Sequence, residues 1–315
     1  MNKLDKIYIA GHNGMVGSAI NRLFKEKGYE NIIIRGSDEL DLTNQQKVLE
    51  FFENERPDIV ILAAAKVGGI YANNTYPAEF IYENIMIQTN VINAAYDNHV
   101  KKLLFLGSSC VYPKNSKLPI KEEELLKSEL EKTNEAYAIA KISGLKMIEF
   151  YNRQYNTNYI SLMPTNLYGK NDNYHHENSH AMAALIKKFV DAKINGEENV
   201  IIWGTGEPLR EFLYVDDFAE AVFQILKNNE IEYRMLNIGY GEEISVKELG
   251  KLIAKIIGYE GRISYDTSKP DGTFSKIMDN SKIMSLGWSP QTSIYDGIRK
   301  TVNHYSKKFY GKELL

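Results

Sequence analysis

Short apolar runs separated by amphipathic stretches set the limits on what this chain can fold into. The runs cover residues 6–10, 31–35, 59–63, 102–106 and 159–163, and between them lie helical patterns over 15–27, 44–54, 80–98 and 137–155. Strands covered on both faces read as continuous apolar runs, and parallel neighbours need crossovers of about a dozen residues or more. The alternation therefore predicts βαβ units wound on both sides of a parallel sheet.

After Pro164 the pattern loosens. "TNLYGKNDNYHHENSH" reads as a polar loop, and a helix pattern begins near Ala181. Residues 200–203 read as a strand, "VDDFAEAVFQILKN" as an amphipathic helix with acids at its positive end, and "MLNIGYG" as another strand. The tail from Ser245 holds one or two helices and the turn-rich "TSKPDGTFSK", while "KEEELLKSELEK" reads as a solvated charged helix. The expected organisation is a dinucleotide-binding domain over 1–165, with 207–240 returning to it, and a smaller C-terminal α/β domain for substrate over 166–206 and 241–315.

Gly11-His12-Asn13-Gly14-Met15-Val16-Gly17 joins the first strand to the first helix. Glycines there allow a tight turn, close approach of backbone to a pyrophosphate, and close helix–sheet packing. The G-x-x-G-x-x-G spacing differs from the common fingerprint, so its position between strand and helix carries the argument. Gly11, Asn13, Gly14, Met15, Val16 and Gly17 are the expected cofactor contacts. At the tip of the second strand Arg35 favours the 2′-phosphate of NADP(H), whereas Asp38 nearby leaves NAD(H) as the alternative.

Tyr137 and Lys141 stand four residues apart, hence on one helix face. A phenol titrates near 10, and a neighbouring ammonium favours its anion, which suits it to protonating a carbonyl oxygen as hydride arrives at the carbon. Ser108, just past the fourth strand, would donate a hydrogen bond to the same oxygen.

Composition closes off other classes. The 315 residues carry a net charge of −3, with no basic surplus for nucleic acid. No apolar run approaches the roughly 18 residues of a membrane span, and the N-terminal apolar stretch is too short for a signal peptide, so a cytoplasmic location is expected. Cys110 is the single cysteine, which fits a reducing compartment. His175, His176 and His180 lack a zinc-type pattern, and no metal is expected.

Together with these features, "AGHNGMVGSAI", "LAAAKVGGIYANNTYPAEFIYENIMIQTNVI", "KLLFLGSSCVYPK", "TNEAYAIAKISGLKMIEFYNRQYN", "MPTNLYGKNDNYHHENSHA", "WGTGEPLREFLYVDD" and "SKPDGT" give the chain a resemblance along its whole length. It resembles the extended short-chain dehydrogenase/reductase family, and within it the 3,5-epimerase/4-reductases of GDP-4-keto-6-deoxy-D-mannose. The resemblance implies a reductase triad of Ser108, Tyr137 and Lys141, and an epimerisation acid/base pair of Cys110 and His180. It also implies cofactor contacts at Leu106, Lys141, Pro164, Leu167 and His180, and GDP-sugar contacts at Asn166, Lys188, Trp203, Arg210 and Asp271. A homodimer paired through 80–98 and 137–155 is implied as well.

The chain departs from the family at Asn13 and Ser37, where arginines associated with the 2′-phosphate are common, and at Lys188, where arginine is frequent. The chemistry gives the thiol a purpose. Protons on C3 and C5 of a 4-keto sugar are acidified by the carbonyl, and inversion needs two groups on opposite ring faces. A thiol near 8.5 and an imidazole near 6.5 suit that task better than hydroxyls. Two further readings are a C4 reductase of a related GDP-4-keto sugar, such as a 6-deoxy-heptose, with little epimerisation, and a non-catalytic NADP-binding regulatory protein.

Overall fold

The structure, a computed structural model, describes residues 1–175, 179–269 and 271–315. In chain order the first half runs β1 (Ile7–Ala10), α1 (Met15–Glu26), β2 (Ile32–Ile33), α2 (Gln45–Glu55), β3 (Ile59–Leu62), α3 (Ile70–Thr75), α4 (Pro77–Asp97), β4 (Lys102–Leu106), α5 (Glu135–Tyr155) and β5 (Tyr159–Pro164). The second half runs β6 (Asn166–Tyr168), α6 (Ala181–Asn195), β7 (Asn199–Trp203), β8 (Leu209–Tyr214), α7 (Val215–Lys227), β9 (Met235–Ile238), β10 (Glu243–Ser245), α8 (Val246–Ile257), β11 (Arg262–Asp266), α9 (Ser281–Ser285) and α10 (Ile294–Tyr310).

Among the described residues β2-β1-β3-β4-β5-β9 form one sheet, parallel throughout. Alternate side chains enter opposite layers. Ile7, Ile9, Ile59, Ile61, Leu104 and Leu162 pack with α1 and α7, while Tyr8, Val60, Leu62, Phe105 and Met163 pack beneath α2, α4 and α5. The fold is a doubly wound α/β sheet. Local chemistry sets the helix starts: Asn44 accepts from Lys47 N to cap α2, and Pro77 opens α4. The acids at the start of α7 bind outward partners. Asp216 pairs with Arg22 of α1 at 2.8 Å, and Asp217 accepts from the 291–292 backbone.

The remaining strands form two small sheets, β10-β8-β6 and β11-β7. A third core gathers α6, α8 and α10 around Phe189, Ile202, Phe212 and Val302. Three expectations are corrected here. The polar segment after Pro164 begins with β6, because Asn166 to Tyr168 pair with Phe212 to Tyr214. The tail carries α8, α9 and α10 rather than one or two helices.

The third correction concerns residues 121–132, which form no charged helix. A short 3-10 turn over Glu122–Glu124 is followed by Leu126 at a φ of +65°. Glu122 is buried, accepting from Asn237 N at 2.9 Å and pairing with Lys282 at 3.0 Å. The carboxylate was drawn inward by two cationic or N–H partners that lie far off in sequence.

Asn237, fully buried on β9, is the centre of that network. Its Oδ1 accepts from Tyr112 at 2.5 Å, and its Nδ2 donates to Ile120 O at 2.9 Å and Asp279 O at 3.3 Å. It thereby fastens the segment following β4 to the C-terminal strand edge. Asn237→Ala should cost about 2–4 kcal/mol, since a buried hydroxyl and two carbonyls lose their partner together. Urea unfolding reads this, and a loss under about 1 kcal/mol would contradict the role.

Candidate functional site

The site begins where β1 ends. Gly11 has a φ of +85°, and a Cβ there would lie 2.7 Å from Ala64 N; one on Gly17 would overlap Gly11 O. Helix α1 thus rests directly on the turn. Gly14 caps it without any side-chain hydrogen bond, so the first N–H groups of α1 face outward, ready for an anion. Asn13 is exposed at the tip, Met15 and Val16 lie on the core beneath, and His12 Nδ1 is buried without a hydrogen-bond partner among the described residues. This glycine cradle fits the pyrophosphate of a dinucleotide.

Arg35, just beyond β2, donates to Glu55 Oε1 at 2.5 Å and to Ile34 O at 2.8 Å, above the Phe51 ring. A 2′-phosphate would compete with Glu55 for the guanidinium. Ser37 and Asp38 lie in the following turn.

Across the sheet, β4 delivers the next groups. Ser108 follows its end and accepts from Cys110 N at 3.2 Å, which sets the short turn carrying the thiol. Cys110 is half-buried, and Asn134 Nδ2 donates to its Sγ at 3.4 Å. One turn into α5 stands Tyr137, edge-on to Phe80 at 6.2 Å. A further turn on, Lys141 Nζ donates to Leu106 O at 2.8 Å and lies 5.9 Å from the Tyr137 ring centre. Gln88 of α4 holds this stretch of α5 by donating to Ala140 O and Ser143 Oγ. Ser108, Cys110, Tyr137 and Lys141 are brought together.

Burial governs the electrostatics. Burial raises the Tyr137 phenol, the nearby Cys110 adds to the rise, and a hydrogen bond from Ser108 opposes it. Lys141, 3% exposed, is pushed down to about 7 by desolvation. The expectation that Lys141 draws the phenol down is therefore outweighed within the protein's own groups. Both side chains disfavour charge, so at neutral pH Tyr137 holds its proton while Lys141 exchanges one readily.

His180 caps α6 with its backbone, half-buried, and burial holds its imidazole below the ordinary value. His176 lies outside the described residues, among which no group of acids, histidines and cysteines could hold a metal ion. Pro164 ends β5, and Leu167 of β6 packs against the sheet core.

A second cluster faces outward on β7 and β8. Trp203 is 44% exposed, with Lys188 Nζ 5.0 Å and Lys269 Nζ 5.3 Å from its ring. Lys188 also donates to Ile201 O, and burial lowers its ammonium. Arg210 donates to Thr273 O at 2.6 Å and Asp271 O at 3.1 Å, while Asp271 accepts from Thr205 N and Oγ1. Asn166 donates to Glu211 O. The 271–274 turn closes toward the first cluster, since a Cβ on Gly272 would meet both Arg210 and Ile70 of α3 at 3.4 Å. Helix α3 in turn packs on the 132–134 turn before α5.

Asn134, Lys269 and Thr205 escaped the sequence reading. Asn134 stands three residues before Tyr137, so helical spacing could have found it. Lys269 and Thr205 carry no such signal, being joined to Trp203 and Asp271 only by the fold.

The profile of the NAD dependent epimerase/dehydratase family matches residues 7–239. GDP-L-fucose synthase 1 of Arabidopsis thaliana is 54% identical over 307 residues, 97% of this chain and 94% of that protein. The crystal structure of a GDP-6-OMe-4-keto-L-xylo-heptose reductase from C. jejuni superposes with a TM-score of 0.91 at 38% identity, covering 98% of this chain and 99% of that one. A GDP-L-fucose synthetase from Naegleria fowleri bound to NADP gives a TM-score of 0.90 at 28% identity, with 99% and 97% covered.

Lys141 yields a pH test of the site. Its folded value near 7 lies below the unfolded 10.5, so the unfolded chain binds more protons between them, and stability rises with pH over that window. Relative to the parent protein, Lys141→Met should gain roughly 2–4 kcal/mol more at pH 6 than at pH 10. Urea titrations at the two pH values measure it, and an equal difference at both would contradict a buried ammonium.

Proposed function

The chain belongs to the NAD dependent epimerase/dehydratase family, and from that premise we propose that it epimerises a GDP-4-keto-6-deoxy sugar at C3 and C5 and reduces C4, giving GDP-L-fucose. It is an NADP-dependent oxidoreductase of this family. The observation that carries the reading is the cluster of Ser108, Cys110, Tyr137 and Lys141, where a proton donor for a carbonyl oxygen adjoins a thiol. No helix among the described residues is long and apolar enough to cross a membrane.

Gly11, Asn13, Gly14, Met15, Val16 and Gly17 would hold NADPH, with Arg35 toward its 2′-phosphate, and the bound cofactor would supply the hydride for C4. Tyr137 gives its proton to the C4 oxygen, Ser108 fixes that oxygen by hydrogen bonding, and Lys141 balances the phenolate left behind. Leu106, Pro164 and Leu167, at the ends of β4 and β5 and on β6, would border the cofactor's nicotinamide. Before reduction the same two hydroxyls stabilise the enolate formed when a proton leaves C3 or C5. Cys110 serves one ring face and His180 the other, one accepting a proton while the other donates. Trp203 and Lys188 meet the guanosine end, and Arg210, held by Asp271, meets the phosphates with Asn166 nearer the sugar.

We assign 1–165 with the returning 207–240 to the cofactor, supported by β9 pairing with β5 and α7 packing on α1. Within that stretch β8 joins the smaller sheet. Residues 166–206 and 241–315 are assigned to the GDP-sugar. Tyr82 and Phe150, 62% and 45% exposed on α4 and α5, support a homodimer through those helices, and a thiol used in chemistry supports a cytoplasmic location.

A second reading, reduction of a related GDP-4-keto-heptose with little epimerisation, is favoured by the likeness to the C. jejuni reductase. Incubation of GDP-4-keto-6-deoxy-D-mannose with NADPH separates them. The main reading expects GDP-L-fucose; a C4-reduced sugar unaltered at C3 and C5 would favour the second, and absence of NADPH oxidation would sink both. Tyr137→Phe should slow reduction at least about 100-fold with NADPH binding retained. Cys110→Ser should release C4-reduced sugar of unchanged C3 and C5 configuration, and full GDP-L-fucose formation would contradict the role of the thiol.

A further inference from the structure

Asn134 stands at the N-cap of α5, yet its side chain makes no capping hydrogen bond. N-cap asparagine ordinarily accepts from the N–H groups of the first turn, a contact worth about 1 kcal/mol. Here the carboxamide turns the other way, and Nδ2 reaches Cys110 Sγ at 3.4 Å. Its Oδ1 is buried with no hydrogen-bond partner among the described residues. A side chain that forgoes the cap, keeps one end on sulfur and leaves the other unpaired is not serving the helix.

The turn before it explains how this is held. Glu131 accepts from Thr133 N at 3.0 Å and also from the Thr133 hydroxyl, so the 131–134 turn is braced by its own acid. Asn134 is therefore free of that duty, and its N–H is the polar contact made to the thiol among the described side chains. The sulfur also lies at the N-terminal, electropositive end of a 21-residue helix.

Resting on the epimerase reading above, we propose that Asn134 is a positioning residue for Cys110, aiming the sulfur at the sugar and stabilising it while it carries negative charge. When the thiol has given its proton to the ring carbon, the anionic sulfur accepts the Asn134 N–H. On reprotonation the same contact keeps the sulfur from rotating away.

The lone cysteine makes the test clean, because alkylation by iodoacetamide reports on Cys110 alone. Asn134→Asp keeps the shape and is an equally good N-cap, but exchanges the donor for a carboxylate. It should slow alkylation at pH 7.5 by tenfold or more and slow solvent deuterium uptake at C3 and C5 of GDP-4-keto-6-deoxy-D-mannose similarly, with NADPH binding unchanged. Asn134→Ala, losing the donor without adding charge, should slow both several-fold. A purely structural role would leave the Asp variant's alkylation within twofold of the parent, which overturns the inference. Exchange in the parent and equally in the Asp variant also overturns it, whereas no exchange in the parent protein overturns the epimerase reading itself.

Discussion

Lys141 donating into the Leu106 carbonyl joins the second turn of α5 to the last residue of β4, and the placement of Ser108, Cys110 and Tyr137 hangs on that link. A buried ammonium is costly, and a fold keeps one only when geometry elsewhere requires it. The link fixes how far α5 stands from the strand end. Tyr137, one turn earlier on the helix, then faces Ser108 and Cys110 on the loop that leaves the same strand. Gln88 on α4 locks the helix from behind, and Gly144 lets Phe105 pack beneath it.

The same pocket can serve two kinds of chemistry because both pass through one oxygen. Negative charge grows on the C4 oxygen when a proton leaves the neighbouring carbon and again when hydride arrives. Donors aimed at that oxygen assist each step. Burial holds Tyr137 protonated, which makes it a donor, and brings Lys141 to a value where its charge responds to small changes around it. Outside this pocket, buried polar hubs hold the loops: Asn237 fastens the segment after Tyr112, and Glu211, next to Arg210 on β8, accepts from Gly241 N and Met278 N.

Periodicity and turn chemistry made most of the main sheet legible, because its central strands are buried on both faces and the flanking helices carry an apolar stripe. The glycine loop was legible for a similar reason, as close backbone approaches leave no space for a Cβ at Gly11 or Gly17. Tyr137 and Lys141 could be paired by helical spacing alone. What escaped depends on partners remote in sequence. Glu122 looked like part of a charged helix until Lys282 and Asn237 drew it inward. The three-residue β6 exists only through its pairing with β8. Nothing local tells that Asn134 would abandon its cap for sulfur, or that Lys269 would join Trp203.

The central claim is that a single ketone is held so that phenol and thiol act on it in turn. It is tested most directly by running the complete reaction in D2O with protiated NADPH and counting deuterium in the product by mass spectrometry and NMR. The account predicts GDP-L-fucose carrying solvent deuterium on both C3 and C5, with protium delivered to C4. Rapid NADPH oxidation yielding a C4-reduced sugar with no deuterium on either carbon would contradict it.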